Sequence, residues 1–314
     1  IIANDSVMIL DNVLVLAMRV FRGYENEFDK KVNGYKAGET ITIRKPTDFT
    51  VRSGAVASIQ DVVEGTTTMS VDKQKGIDFE FTSADLSLEI DEMEERILRP
   101  AMIQLANQVE VDLFALYSKV NNWLGTPVSP INSYADFALA PERLDEMGVP
   151  SGERCAILSP KDHWGLLGSQ TSLYIQDAAK GAYRTASLGM IGGCDTYMSP
   201  NVATHTTGTR DNTTPLTKTA GTGVLSTTYA ASKDTGYMDL STDGHDASKT
   251  IVAGDVLTID TVFDVNPVTK ATLAHLKMFT VVTTVTSNGT TTSETTIRIS
   301  PPIIPSGAFK NVSG

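Results

Sequence analysis

The chain has 314 residues, 41% of them hydrophobic and 20% charged, which is enough for two domains with cores of their own. A formal net charge of −11 excludes a protein that grips nucleic acid through a general basic surface. The two cysteines, Cys155 and Cys194, exclude a disulfide scaffold, and no apolar run is long enough to span a membrane as a helix.

The sequence begins Ile1-Ile2-Ala3-Asn4, with no initiator Met and no basic and apolar regions of a secretory signal. Asn4 to Val20 reads as a helix, with Val7, Leu10, Leu14, Ala17 and Met18 on one face and Asp5 or Ser6 as its cap. An arm that packs on a neighbour and an ordinary core helix fit it equally well. Glu39 to Lys45 (ETITIRK) alternates strictly and reads as a strand closed by Pro46. A polar excursion follows from Thr47 to Thr66. Met69 and Val71 alternate on the way back, Lys73 to Gly76 turns the chain, and Ile77, Phe79 and Phe81 alternate again. A long two-stranded projection of this kind buries little by itself and needs a partner.

Asp91 to Trp123 reads as one long amphipathic helix. Its apolar stripe runs through Met93, Ile97, Met102, Leu105 or Ala106, Val109, Leu113, Leu116 and Val120. Asp91 and Glu94 have the spacing of a capping box, and Gly125 and Pro127 are its stop signals. Pro100 removes one backbone bond, so a kink or restart is expected there. Roughly 30 residues at 1.5 Å each make a rod of about 45 Å. The next third is mixed. Tyr134 to Met147 is a helix interrupted by Pro141, and Arg154 to Leu158 a short strand. Lys161 to Leu167 and Asp177 to Leu188 are short helices, with Gly189 as a C-cap, and Gly193 to Met198 is another strand. From Thr206 to Ser300 the chain is crowded with Thr, Ser, Gly and Asp. Strand candidates are Gly223 to Tyr229, Asp255 to Val262, Met278 to Val285 and Thr295 to Ser300, separated by turns at Asp243-Gly244, Asn266-Pro267 and Asn288-Gly289. This reads as an all-β insert, a small barrel.

No residue pattern points to catalysis. The histidines His163, His205, His245 and His275 stand in no zinc spacing, no phosphate-binding glycine motif occurs, and Ser159-Pro160 is no nucleophile elbow. Asp91, Glu92, Glu94 and Glu95 read as a solvated helix start. The stretch Asp239 to Asp246 (DLSTDGHD) lacks the closing Glu of a calcium loop and reads instead as an exposed acidic turn for a basic surface. No enzyme, cofactor or metal is expected.

In order, an arm, an extended hairpin, a long helix and a mixed α/β region resemble the Hong Kong 97-type major capsid protein of tailed phages. The β insert brings the resemblance closer to the P-twenty-two-type coat protein family. The residues that carry it are GETITIRKP (Gly38 to Pro46) at the entry to the extended loop and RPAMIQLANQVEVDLFAL (Arg99 to Leu116) in the spine helix. SLGMIGGCDTYMSPNVATHTTGT (Ser187 to Thr209) resembles the crossing into the insertion domain, and AGDVLTIDTVFDVNPVTKATLAHLKMFTVV (Ala253 to Val282) the barrel.

The resemblance implies an α+β capsid fold divided into an N-terminal arm (1–38), an extended loop with flanking strands (39–90) and a spine helix (91–130). The first part of an axial domain (131–205), a β-barrel insertion domain (206–300) and the start of a return to the axial domain (301–314) follow. The family continues past the position of Gly314, so the sequence reads as part of a longer gene product. The implied role is a homo-oligomeric shell, hexamers and pentamers built on a scaffolding protein in the host bacterial cytoplasm. A portal protein and decoration proteins are further implied partners. The virion shell would enclose double-stranded DNA without reading its sequence and without a membrane. Candidate inter-subunit contacts are Arg44, Lys45, Asp48 and Arg52 on the hairpin and Asp239, Asp243 and Asp246 on the acidic stretch. Asp11, with Asp5, Glu25, Glu27 and Asp29 nearby, is the candidate contact for a basic scaffold. The alternatives are an encapsulin-like compartment shell and a carbohydrate-binding adhesin. The β insert offers an adhesin few aromatic residues: Tyr229, Tyr237, Phe263 and Phe279.

Overall fold

A computed structural model of the chain describes residues 14–24, 40–78, 80, 94–170, 185–209, 214–218, 236–287 and 294–314. Helices and strands both contribute, so the fold is mixed α/β. Strands β1 (Thr40–Arg44) and β2 (Thr66–Ser70) pair antiparallel from Thr40 opposite Ser70 to Arg44 opposite Thr66. The alternation of β-branched and polar residues predicts this ladder, yet only Ile41 is buried in it. The long loop of residues 45–65 leaves its far end. The strand expected around Ile77 is not formed over residues 71–78, and Phe79 and Phe81 lie outside the described residues. The N-terminal helix is also corrected where it can be followed: residues 14–24 run as bends and turns, and Asn4 to Val13 lie outside the described residues.

Among the described residues the spine runs as a π-helical turn, Glu94–Leu98, then α1 (Arg99–Phe114) and a 3₁₀ segment, Ala115–Lys119. The change of winding falls where Pro100 was expected to restart the helix. Its missing N–H and its ring disturb the turn before it, and the wider π turn accommodates both. Asp91, the expected cap, lies outside the described residues. The helix ends at Lys119, earlier than Gly125 and Pro127 suggest, because Val120 is already extended. Thr280 Oγ1 donates to Val120 O (3.1 Å) and Asn121 Nδ2 donates to Met278 O (3.1 Å), which draws the chain out onto the strand that carries Met278 and Thr280. Ala106 and Glu110 are buried in α1, while Ile103, Val111, Leu116 and Val120 are exposed.

Helix α2 (Tyr134–Glu146) starts at Ser133, whose Oγ accepts from Asp136 N (3.2 Å) and donates to Asp136 Oδ2 (2.7 Å). The expected interruption at Pro141 does not occur. Its ring is buried, with Gly192 packed so closely that a side chain there would touch Pro141 Cγ. After β3 (Cys155–Leu158), Ser159 caps α3 (Pro160–Gln170) by accepting from Asp162 N, and Pro160 occupies the first turn, where no N–H is missed. The helix expected from Asp177 lies mostly outside the described residues, and Gly189 leads directly into β4 (Met190–Ile191), at φ 63°. Strand β5 (Cys194–Met198) pairs parallel with β3 and antiparallel with β4. Phe137, Leu158, Leu166, Leu167, Ile191 and Cys194 close this core.

The β region is a six-stranded sheet in the order β13-β9-β10-β12-β7-β6. Its strands are β6 (Leu216–Thr217), β7 (Met238–Asp243), β9 (Val256–Val265), β10 (Thr272–Val281), β12 (Thr295–Ser300) and β13 (Val312–Ser313). A small pair, β8 (Thr250–Ile251) with β11 (Val285–Thr286), sends Ile251 and Val285 into the core of the sheet. Phe279, Val281, Ile297 and Ile299 fill that core. Among the described residues the sheet is open, with β6 and β13 at its edges, where a barrel was expected. Two further expectations are corrected. The stretch Asp239 to Asp243 is strand, not loop, since β7 pairs with β12 from Met238 to Thr242. The tail 301–314 does not leave for the mixed region: Val312 pairs with Asp264 and Ser313 with Phe263. A bulge in β9 at Thr261, held at φ 66°, shifts the register with β10 beside this edge.

Candidate inter-subunit surface

The hairpin loop is the most exposed apolar feature of the described residues. Val51 and Ile59 are each 96% exposed and Val56 86%, with Phe49 and Val62 exposed beside them. The loop is nonetheless shaped. Gln60 bridges it by donating to Thr50 O (2.6 Å) while its Oε1 accepts from Thr50 N (2.9 Å). Lys45 N donates to Gly65 O (2.8 Å), which closes the neck. Polar residues flank the apolar ones and find partners within the chain. Arg44 reaches Glu64 (3.2 Å), Arg52 donates to Gly54 O, and Lys270 in the β9–β10 turn reaches Asp48 at 2.6 Å.

The root of the hairpin is fixed to the spine. Lys73 and Lys75 each reach Asp112 on α1 at 3.3 Å. Desolvation pushes Asp112 up, but the hydrogen bonds and charges of the two lysines outweigh it and hold the carboxyl below its ordinary value. The projection is therefore anchored at its base and tied at Asp48, with its apolar tip left uncovered.

The acidic stretch is less available than its sequence suggests. Arg298 on β12 grips Asp239 through two nitrogens, at 2.7 and 3.0 Å, and lies 4.4 Å over the Tyr237 ring. The guanidinium holds Asp239 below the usual carboxylate range, and Asp239 raises Arg298 in turn. Asp243 ends β7 half-buried, and Asp246 is half-buried in the turn that follows. His245 between them is buried. Thr242 Oγ1 gives its hydrogen to Thr295 O (2.8 Å), so His245 Nε2 donates to Thr242 (2.8 Å). Asp11 lies outside the described residues, as do Asp5, Glu25, Glu27 and Asp29.

Sequence reasoning missed the side chains that join the regions. His205 takes Tyr117 OH at Nδ1 (2.9 Å) and Asp255 at Nε2 (2.7 Å), linking the end of the spine, the crossing segment and the start of β9. The second Asp255 oxygen accepts from Val252 N (2.7 Å). The signal in the sequence was no more than a histidine outside any metal spacing. Glu110 was missed as well, an acid amid the apolar stripe of α1. Cys194 is buried, and burial pushes its thiol up. Among the described residues no cluster of His, Cys, Asp or Glu has the form of a metal site, and no helix is long and apolar enough to cross a membrane.

Known proteins resemble the chain over most of its length. It is 24% identical over 278 residues to the major capsid protein of Acyrthosiphon pisum secondary endosymbiont phage 1, covering 84% of this chain and spanning 64% of that relative. A solved structure from Mycobacterium phage Che8 matches 93% of this chain and 88% of its own at 16% identity and a TM-score of 0.45. The capsid structure of the cyanophage P-SCSP1u matches 86% and 81% at 11% identity and a TM-score of 0.39. The family model of the P22 coat protein, gene protein 5, matches residues 2–314, and the chain belongs to that family.

Proposed function

We propose that this chain is a shell-forming subunit, a major capsid protein that assembles as hexamers and pentamers around double-stranded DNA in a phage head. The observation that carries the reading is the apolar tip of the hairpin loop. A water-exposed row of Phe49, Val51, Val56, Ile59 and Val62 on an anchored projection is a surface that a second copy of the chain would cover. Family membership and the capsid relative support the same reading.

In this proposal the chain adopts the Hong Kong 97-type arrangement: arm, extended loop, spine, axial region and an inserted β domain. Its role is structural, not catalytic. Arg44, Lys45, Asp48 and Arg52 form the polar rim around the apolar tip. Asp239, with Arg298 bound to it, Asp243 and Asp246 meet a basic surface on a neighbouring capsomer. Asp11 contacts a basic scaffolding protein. Portal and decoration proteins are further partners, and assembly takes place in the host cytoplasm. Single rim pairs contribute about 0–1 kcal/mol each, so the many repeats of one contact hold a shell that stays reversible while it grows. The negative net charge suits a container that does not bind its DNA tightly.

Negative-stain electron microscopy of the full-length gene product, with and without its scaffold, tests this. Closed shells of uniform size are expected from the wild type, and none from a Val51→Ser/Ile59→Ser variant. A wild-type subunit that stays monomeric with scaffold at high concentration overturns the shell. Shells that form unchanged from the variant overturn the loop's part in it. Normal shells from Asp243→Ala/Asp246→Ala remove those two acids from the contact.

A further inference from the structure

Glu110 lies on α1 with 4% of its surface exposed. Four neutral groups donate to its carboxylate. Oε1 takes the backbone N–H groups of Val15 and of Leu16, the latter at 2.9 Å. Oε2 takes Ser199 Oγ at 3.2 Å and Asn201 Nδ2 at 3.4 Å. A buried charge persists only when it is fully hydrogen-bonded, and two successive amides converging on one oxygen suit an anion well. Ser199 is 1% exposed and is itself fixed, its N–H donating to Leu158 O (3.1 Å). A second tether lies nearby: the Arg19 guanidinium sits 3.7 Å over the Tyr197 ring of β5.

We propose that Glu110 is a latch that binds the N-terminal strap, residues 14–22, to the spine helix and couples its position to the segment after β5. One oxygen holds the strap and the other holds Ser199 and Asn201, where the chain departs for the β region. When the strap leaves, Oε1 loses both its amides and a charge is left in a buried site. The segment at 199–201 must then rearrange or admit water to solvate it. The latch also explains why α1 carries acids at both 110 and 112. Positions two apart point to nearly opposite sides of a helix. Glu110 takes the strap on one side, and Asp112 takes the lysines of the hairpin root on the other. The device belongs to the folded subunit and does not depend on the shell reading.

Amide hydrogen exchange, resolved by residue, tests it on the full chain as wild type, Glu110→Gln and Glu110→Ala. Val15 and Leu16 lie in no helix or strand, so their protection reports the latch. In the wild type both amides are expected to be protected. In Glu110→Ala they exchange about tenfold faster or more, the loss of a charge-assisted bond, and Glu110→Gln falls between. The amides of Val281 and Val282, bonded to Asp255 O and Arg298 O, serve as the control for a folded sheet. Unprotected Val15 and Leu16 in the wild type overturn the proposal whatever the variants do. Unchanged exchange in either variant, with the control amides intact, overturns it as well. If Glu110→Ala loses the sheet too, wild type against Glu110→Gln decides.

Discussion

The described parts of residues 236–314 and of residues 40–119 treat their apolar side chains in opposite ways. In the β region Phe279 and Ile299 are 0% exposed, and β12 alternates inward Thr295, Ile297 and Ile299 with outward Thr296 and Arg298. Even its charges are enclosed: Asp264, 0% exposed, takes Lys277 Nζ at 2.8 Å and His275 Nε2 at 3.3 Å. In the hairpin and spine Ile41, Leu98 and Ala106 are the buried apolar residues, while Ile103, Val111, Leu116 and the loop row face water. The first region encloses its large apolar side chains and its Asp264–Lys277 pair within one chain. The second is held in place by a few polar anchors and presents what a packed protein would cover. Stability should therefore concentrate in the sheet, and in the proposed shell the contacts between copies fall on the projection.

The largest effects are expected where the sheet encloses a charge. Asp264→Ala leaves Lys277 buried without its counter-ion and should lower the stability of the β region by about 3–5 kcal/mol in urea unfolding. Phe279→Ala empties a fully buried site in the sheet core and should cost a similar amount, about 3–5 kcal/mol. A loss under 1 kcal/mol in both variants would break the comparison, because the sheet would not then be the self-sufficient part.

The next effect is smaller and depends on pH. Arg298 lowers the Asp239 carboxyl, so the pair's contribution is fully present above the unfolded value near 3.8 and fades as pH falls through the folded value. Arg298→Ala removes that dependence. The stability gap between wild type and variant, followed by acid titration, should be widest near neutral pH and narrow below pH 3.8. A gap that widens on acidification has the wrong sign for this pair.

The sequence shows these regions unequally, for physical reasons. β1 and β12 are legible because alternation is local, and the restart near Pro100 follows from one missing N–H. β10 begins at Thr272, six residues before the reading from Met278, because Lys277 looks like a surface residue until Asp264 is placed beside it. Asp239 looked like a turn because DLSTDGHD is rich in turn formers. Its pairing with Arg298, across 59 residues, makes it strand. Glu110 is the extreme case: its four donors come from 89 to 95 residues away, and two of them are backbone amides that no side-chain pattern reveals. The exposure of the loop row was invisible for the opposite reason. Phe49, Val51, Val56, Ile59 and Val62 are ordinary core residue types, and nothing local says that they stay outside.

The smallest effect is the most discriminating. Val51→Ser/Ile59→Ser removes two side chains that are already 96% exposed, so no burial is lost in the single subunit. Gln60 still bridges to Thr50, Lys270 still reaches Asp48, and the lysines at the hairpin root still hold Asp112. The unfolding free energy of the monomer should therefore change by no more than about 0.5 kcal/mol. Calorimetry on dilute, unassembled chain measures it. A loss above 1 kcal/mol would mean that the loop folds onto its own subunit and that the apolar row belongs to a core. No change in the monomer, together with loss of closed shells, separates the two regions in one experiment. The same two side chains would then contribute nothing to the fold of one chain and much to the contact between two.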